Sequence, residues 1–181
     1  MSPFKIRLAK ESFKFSATHF TIFSDRDAEA LHGHNYQITV ECELSKLDEL
    51  DMGFEFNELK PLIKKLTEEW DEKFLLPAKS PHLKLHDEDV RGTPHLVIDF
   101  ANRSYRAPKN EIRTLEATNI TSESLARVFA HKLSQAWKNQ LGAAVSTFSD
   151  RLLALSVTVE ETRGQSATHT RLQPLTASDL V

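Results

Sequence analysis

The run HNYQITVECEL, ending at Leu44, constrains this chain more than any other segment. Tyr36, Ile38, Val40, Cys42 and Leu44 alternate with Gln37, Thr39, Glu41 and Glu43, the two-residue period of a strand with one wet face. Carried backwards, the alternation sets His32 and His34 on one side of that strand, beside Tyr36. Upstream, Phe13, Phe15 and Ala17 alternate with Lys14 and Ser16, so residues 4 to 19 read as a second strand able to pair antiparallel with the first. His19 extends its apolar row.

Two stretches carry the helical period instead. From 56 to 70, Phe56, Leu59, Leu62, Ile63, Leu66 and Trp70 recur at helical spacing opposite a charged face. The second follows TNITSES, where Thr121 suits the cap and Glu123 the first turn, with Gly142 placed to end it. Between them, PHLVIDFANRSYRAPKNEIRTLE reads as a hairpin or meander reached through a loop rich in proline and charge, LLPAKSPHLKLHDEDVRGT. Residues 75 to 116 are therefore treated as an insertion. Near the C-terminus a strand over 151 to 162, a turn at Gly164 and a strand over 166 to 172 are predicted. The 181 residues are expected to form one domain, residues 1–181, of α+β class: an antiparallel sheet, two helices on one face and an inserted hairpin between the helices.

With 23 basic against 26 acidic side chains, the chain has no bulk electrostatic reason to bind nucleic acid or an anionic membrane. The opening MSPFKIRLAKESFKFS alternates, which argues against a secretory signal, and no run approaches bilayer-spanning length. Cys42 is the single cysteine, so neither an intramolecular disulfide nor a cysteine-based zinc cluster can form within one chain. A reducing, cytoplasmic setting is expected.

His32 and His34 project to one side of their strand, and His19 at the end of the neighbouring strand can reach the same point. Three neutral imidazoles with one open position are a recurring catalytic zinc arrangement, whereas structural zinc normally has four protein ligands. The competing reading, ordinary turn and strand-end histidines, stands beside it. His82, His86, His95, His131 and His169 show no comparable convergence.

The ordered series FSATHF, LHGHNYQITVE, GFEFNELK, TSESLA and VEET resembles the 6-pyruvoyltetrahydropterin synthase and 6-carboxytetrahydropterin synthase superfamily. The resemblance covers most of the chain. It implies a tunnelling fold, ββααββ, assembled into a homo-oligomer, commonly a hexamer built as a dimer of trimers, with active sites at subunit interfaces. It also implies Zn2+ held by His19, His32 and His34, and a pterin triphosphate substrate, typically 7,8-dihydroneopterin triphosphate.

The sequence departs from that pattern where the family carries a cysteine base, a few residues before H-G-H. Here the segment is SDRDAEALHGH. Cys42 lies eight residues beyond His34, about 26 Å along an extended strand, and its row mates make it a small core residue. Glu29 is the candidate replacement, resembling a glutamate-bearing branch of the superfamily that forms 6-hydroxymethyl-7,8-dihydropterin by retro-aldol-type cleavage. A metal-polarised side chain beside a carboxylate base suits that chemistry; a solvated loop acid beside Asp25 and Asp27 is the plainer alternative. Asp71 and Glu72 stand where the family has an Asp-His relay, and glutamate cannot alternate between neutral acceptor and cationic donor as imidazole does.

By the same resemblance, Glu161 with Thr162 supplies the carboxylate that takes the pterin amino and ring N–H bonds. Leu153, Leu155, Val157 and Val159 put Glu161 at the end of an apolar row, where an unpaired carboxylate is costly, although a salt bridge with Arg163 would also satisfy it. Thr121, Ser122 and Glu123 extend the pterin contacts or simply start a helix. Arg26, Lys73, Arg103, Arg106 and Arg163 are possible triphosphate contacts. The favoured activity is a zinc-dependent pterin lyase giving the hydroxymethyl product. Pyruvoyl- or carboxypterin synthesis with a non-cysteine base, a non-catalytic pterin-binding protein and a structural zinc protein stay open.

Overall fold

The computed structural model describes residues 3–141 and 150–172. Strands β1 (Phe4–Leu8), β2 (Lys14–His19) and β3 (His32–Leu44) are followed by helix α1 (Phe56–Trp70). Strands β4 (Lys73–Pro77), β5 (Lys84–Val90), β6 (Thr93–Phe100), β7 (Arg103–Pro108) and β8 (Ile112–Leu115) separate it from helix α2 (Ser122–Leu141). Strands β9 (Leu152–Thr162) and β10 (Gln165–Leu172) complete the described chain. A sheet in the order β10-β9-β3-β2-β4-β8, with β1 also paired to β3, packs against both helices, and β5-β6-β7 form a second, smaller sheet. This is the expected α+β architecture with its two helices.

The core follows from the alternation. Phe15, Tyr36, Ile38 and Val40 are buried from the sheet side, and Leu59, Ile63, Trp70, Phe129 and Leu133 from the helices. Phe15 stacks on Tyr36 with centroids 4.8 Å apart and meets the edge of Trp70 at 5.4 Å. Thr121 caps α2: its Oγ1 accepts the Ser124 N–H at 3.3 Å and its carbonyl accepts the Leu125 N–H at 2.9 Å. Gly142, expected to end that helix, lies outside the described residues. No helix among the described residues is long and apolar enough to cross a membrane.

Four expectations are corrected. The stretch 4 to 19 is two strands, because residues 9–13 bulge out between Leu8, opposite Val40, and Lys14, opposite Gln37. The main sheet is mixed, since β2 with β4 and β4 with β8 are parallel pairs. The connection out of α1 explains it: Asp71 Oδ1 accepts the Ser16 N–H at 2.7 Å and the Glu72 N–H donates to the Ser16 carbonyl at 2.7 Å, so the chain leaves the helix along the free edge of β2. The stretch 75 to 116 is not wholly an insertion: its middle is a three-stranded meander, one of the two expected forms, but its ends, β4 and β8, join the main sheet. Lastly, Leu153 leaves the buried row of β9: a register irregularity opposite Glu43 and Leu44 turns Leu153 outward and Leu152 inward.

Candidate metal centre and its carboxylates

The three histidines meet because of strand register. His19 lies directly opposite His32 across the β2–β3 pair, and His34 lies opposite Ala17 on the same face. Gly33 between them allows the strands to close, since a Cβ there would stand 3.2 Å from the Ala17 carbonyl oxygen. One ring nitrogen from each of His19, His32 and His34 lies within 4.8 Å of the others. His19 is buried, and the other two are half-buried.

The hydrogen bonds fix which nitrogens face inward. His19 Nδ1 lies 3.1 Å from the Ile120 carbonyl and His32 Nδ1 lies 2.8 Å from the Ala30 carbonyl. A carbonyl only accepts, so each Nδ1 carries the proton and each Nε2 keeps a lone pair, the second-sphere arrangement that orients metal-bound imidazoles. Burial holds the His19 pKa below its ordinary value even against the Ile120 carbonyl and the Glu161 carboxylate, so the ring is neutral at pH 7.

Glu161 adds a carboxylate to the cluster. Its Oε1 lies 3.2 Å from His19 Nε2 and 3.4 Å from His34 Nε2. The buried His19 Nε2 nevertheless has no hydrogen bond, because a carboxylate oxygen and an imidazole lone pair are both acceptors. Such a cluster is favourable with positive charge between the acceptors, and the inward lone pairs of His19 and His32 beside the ring nitrogen of His34 are a donor set that fits a metal ion. Tyr36 Oη donates to Glu161 Oε1 at 3.1 Å, and Ser122 Oγ donates to Oε2 at 3.4 Å. Glu161 is thus a carboxylate on the histidine cluster as the chain stands.

Glu29 is the second carboxylate beside the histidines. Its Oε2 lies 3.9 Å from His32 Nε2 and accepts the Thr21 N–H at 3.0 Å. Partial burial alone would raise its pKa, but the Thr21 hydrogen bonds and the neighbouring imidazoles outweigh it and hold the carboxyl below its ordinary value. It is an ionised acceptor at neutral pH. The loop carrying it is closed by the Ile22–Ala28 bridge, by the Glu29 N–H to the Thr21 carbonyl at 2.9 Å, and by Asn119, whose amide bonds both backbone groups of Ile22.

The other expected site residues are placed elsewhere or in structural roles. Asp71 and Glu72 tie α1 to Ser16, and Glu72, at φ 56°, borders a cavity of about 460 Å³ with Thr18, Gly33 and Asn35. Thr18 and Asn35 alternate with the histidines along their strands, and His34 also lines this cavity. Thr162 Oγ1 donates to Gln165 Oε1 at 2.9 Å within the β9–β10 turn. Glu123 is exposed at the start of α2, where its own N–H and Thr121 hold its carboxyl below the ordinary range. Among the triphosphate candidates, Lys73 bonds the Asn110 carbonyl, Arg106 bonds Glu88, and Arg103 bonds the carbonyls of Ala28 and Glu29. Tyr36, Thr21 and Asn119 were not singled out from sequence. Tyr36 alone had a local signal, being in register with His32 and His34.

Cys42 is completely buried, opposite Ile6 on one side and Leu155 on the other. Burial pushes its thiol up to about 12. Native protein held with iodoacetamide at pH 8 should therefore gain no carbamidomethyl mass, whereas denatured protein gains one; rapid alkylation of the native form would refute the buried placement.

A mixed sheet backed by two helices, with a three-histidine cluster able to hold a metal ion at one end of the β2–β3 pair, defines the class of this α+β protein. A family profile described as 6-pyruvoyl tetrahydropterin synthase matches residues 7–171, and the chain belongs to that family. A Methanocaldococcus jannaschii protein, provisionally named 6-carboxy-5,6,7,8-tetrahydropterin synthase, is 26% identical over 70% of this chain and 74% of its own length. The Plasmodium falciparum 6-pyruvoyl tetrahydropterin synthase structure superposes with TM-score 0.85 at 21% identity, covering 96% of this chain and 100% of that one. A Plasmodium vivax 6-pyruvoyltetrahydropterin synthase, described as a catalytic-residue mutant with glutamate replaced by alanine, gives 0.82 at 22% identity over 96% and 100%.

Proposed function

We propose that this chain is a zinc-dependent pterin lyase acting on 7,8-dihydroneopterin triphosphate as a 6-pyruvoyl- or 6-carboxytetrahydropterin synthase, with Glu29 as the base in place of cysteine. The observation that carries the reading is the ionised Glu29 carboxylate, hydrogen-bonded to Thr21 and 3.9 Å from His32 Nε2. A general base must stand within reach of the atom it deprotonates, with its pKa below the working pH. The family membership and the names of the relatives support the synthase-type product, and the glutamate in the description of the Plasmodium vivax protein supports a carboxylate in the base's role.

His19, His32 and His34 would hold the zinc, through the three nitrogens that lie together. The chemistry such an ion supplies when bound is polarisation of the substrate's side-chain oxygens, which acidifies the adjoining protons. Glu29 takes the proton from the side chain. Glu161 receives the pterin amino and ring N–H groups as its carboxylate turns from the imidazoles, with Ser122 beside it; Tyr36 sets its starting position. Thr121, Glu123 and Thr162 shape the rim, and Asp71 and Glu72 secure β2 beneath the site. The main sheet ends in β10 and β8, and an open strand edge is a ready surface for pairing with another copy. Assembly as a dimer of trimers with interfacial sites is part of this reading.

A second reading, retro-aldol-type cleavage to 6-hydroxymethyl-7,8-dihydropterin, is favoured by two features together: Glu29 stands where the resemblance places a thiol, and Glu72 where it places a histidine. Incubation of zinc-loaded protein with 7,8-dihydroneopterin triphosphate, followed by mass spectrometry of the pterins, separates the readings. A pyruvoyl or carboxy product supports the first and a hydroxymethyl product the second. Unchanged substrate overturns both and leaves a pterin-binding protein.

A further inference from the structure

We propose that the inserted meander is a clamp for the base, and that Arg103 is its positioning residue. The proposal rests on the reading of Glu29 as the base. Arg103, the first residue of β7, donates from one terminal nitrogen to the Glu29 carbonyl at 2.6 Å and from the other to the Ala28 carbonyl at 3.0 Å. The guanidinium fork thus spans two consecutive peptide groups, one of them belonging to Glu29 itself. A planar, permanently charged donor pair of this kind fixes both distance and orientation, which an ammonium cannot reproduce.

The fork adds an outside anchor to a loop whose two halves are tied to each other by the Ile22–Ala28 bridge and the Glu29 N–H bond to the Thr21 carbonyl. Asn119, just before α2, ties the backbone of Ile22, and the outgoing half of the loop is secured by Arg103. Between these anchors a small apolar cluster separate from the main core joins the loop to the meander. Phe20, Ile22 and Ala28 from the loop pack with Ile98 and Phe100 of β6, and Phe20 stacks on Tyr105 of β7 at 5.5 Å. Removing the fork would leave the apolar contacts and the Glu29 N–H bond to the Thr21 carbonyl in place while releasing the Glu29 carbonyl, so that the Glu29–Ala30 peptide can rotate and shift the carboxylate without touching the histidines. Misplacing a reacting group by ~1 Å can cost ~100-fold in rate.

The test compares Arg103→Ala, Arg103→Lys and Glu29→Gln as zinc-loaded full-length chains, reading kcat and KM together with amide exchange of residues 21–30 by mass spectrometry. The expected result for Arg103→Ala is a kcat lower by ~10- to 100-fold with KM within about threefold, faster exchange across 21–30 and unchanged metal content. Arg103→Lys, with a single point donor, should fall between Ala and the parent, and it keeps the test decisive if the alanine variant does not fold. Parental kcat and parental exchange in the folded variants, while Glu29→Gln is inactive, would overturn the clamp and spare the base. Full activity of Glu29→Gln would show that the base reading has failed and remove the catalytic role of the clamp; exchange would still report whether Arg103 orders the loop.

Discussion

Glu29→Gln is expected to retain one equivalent of metal per chain and lose turnover by ~10²- to 10⁴-fold, the range a positioned general base contributes. The substitution is close to isosteric, and the amide oxygen can still accept the Thr21 N–H that now binds Glu29 Oε2. Loop placement should therefore survive, and the loss would report proton transfer alone. If the base acts only in the transition state, kcat and kcat/KM fall together, a deficit of about 3–5 kcal/mol. Activity within twofold of the parent would sink the assignment. A thiol at the same position, Glu29→Cys, adds a second measurement: product analysis of that variant shows whether the chemical nature of the base selects the product.

His34→Ala should abolish tight metal binding while leaving the fold in place. The variant keeps two imidazoles, and losing a direct ligand should cost at least the ~10- to 100-fold in affinity seen when second-sphere partners are removed. His34 is partly exposed, with Nε2 turned to Glu161, whereas His19 is buried and bonded to Ile120, so truncation at His34 disturbs packing least. After dialysis against a weak chelator, metal per chain should drop from near one to near zero, with a melting temperature close to that of the metal-free parent. Retained stoichiometric metal would refute the three-histidine ligand set. Chelation that unfolded the parent would instead mark a structural site, since there binding and folding are coupled.

What could be read from sequence was whatever a short-range period encodes. Helix α1 matches the predicted 56 to 70 because its apolar residues repeat at helical spacing and Trp70 closes the stripe against Phe15. The histidine cluster was legible because alternation along β3 alone puts His32 and His34 side by side. Strand β4 was not, because KFLLP is a short continuous apolar run with no period; its burial arises from tertiary neighbours on both faces. Glu29 is legible from its place before H-G-H, but the anchoring of its loop by Asn119 and Arg103 depends on contacts remote in sequence. The link from Tyr36 to Glu161 spans most of the chain, although each residue sits at the end of a legible row.

The parallel pairing of β4 with β8 has a consequence for how this chain acquires its structure. Two parallel neighbours need a crossover of a dozen or more residues, a task usually given to a helix. Here residues 78–111, including the whole three-stranded meander, make that passage. The meander therefore cannot be trimmed to a tight turn without unpairing the edge of the main sheet. Because β8 docks only after this long excursion closes, and closing a long loop precedes the contacts that reward it, this edge belongs to the slow, non-local part of folding.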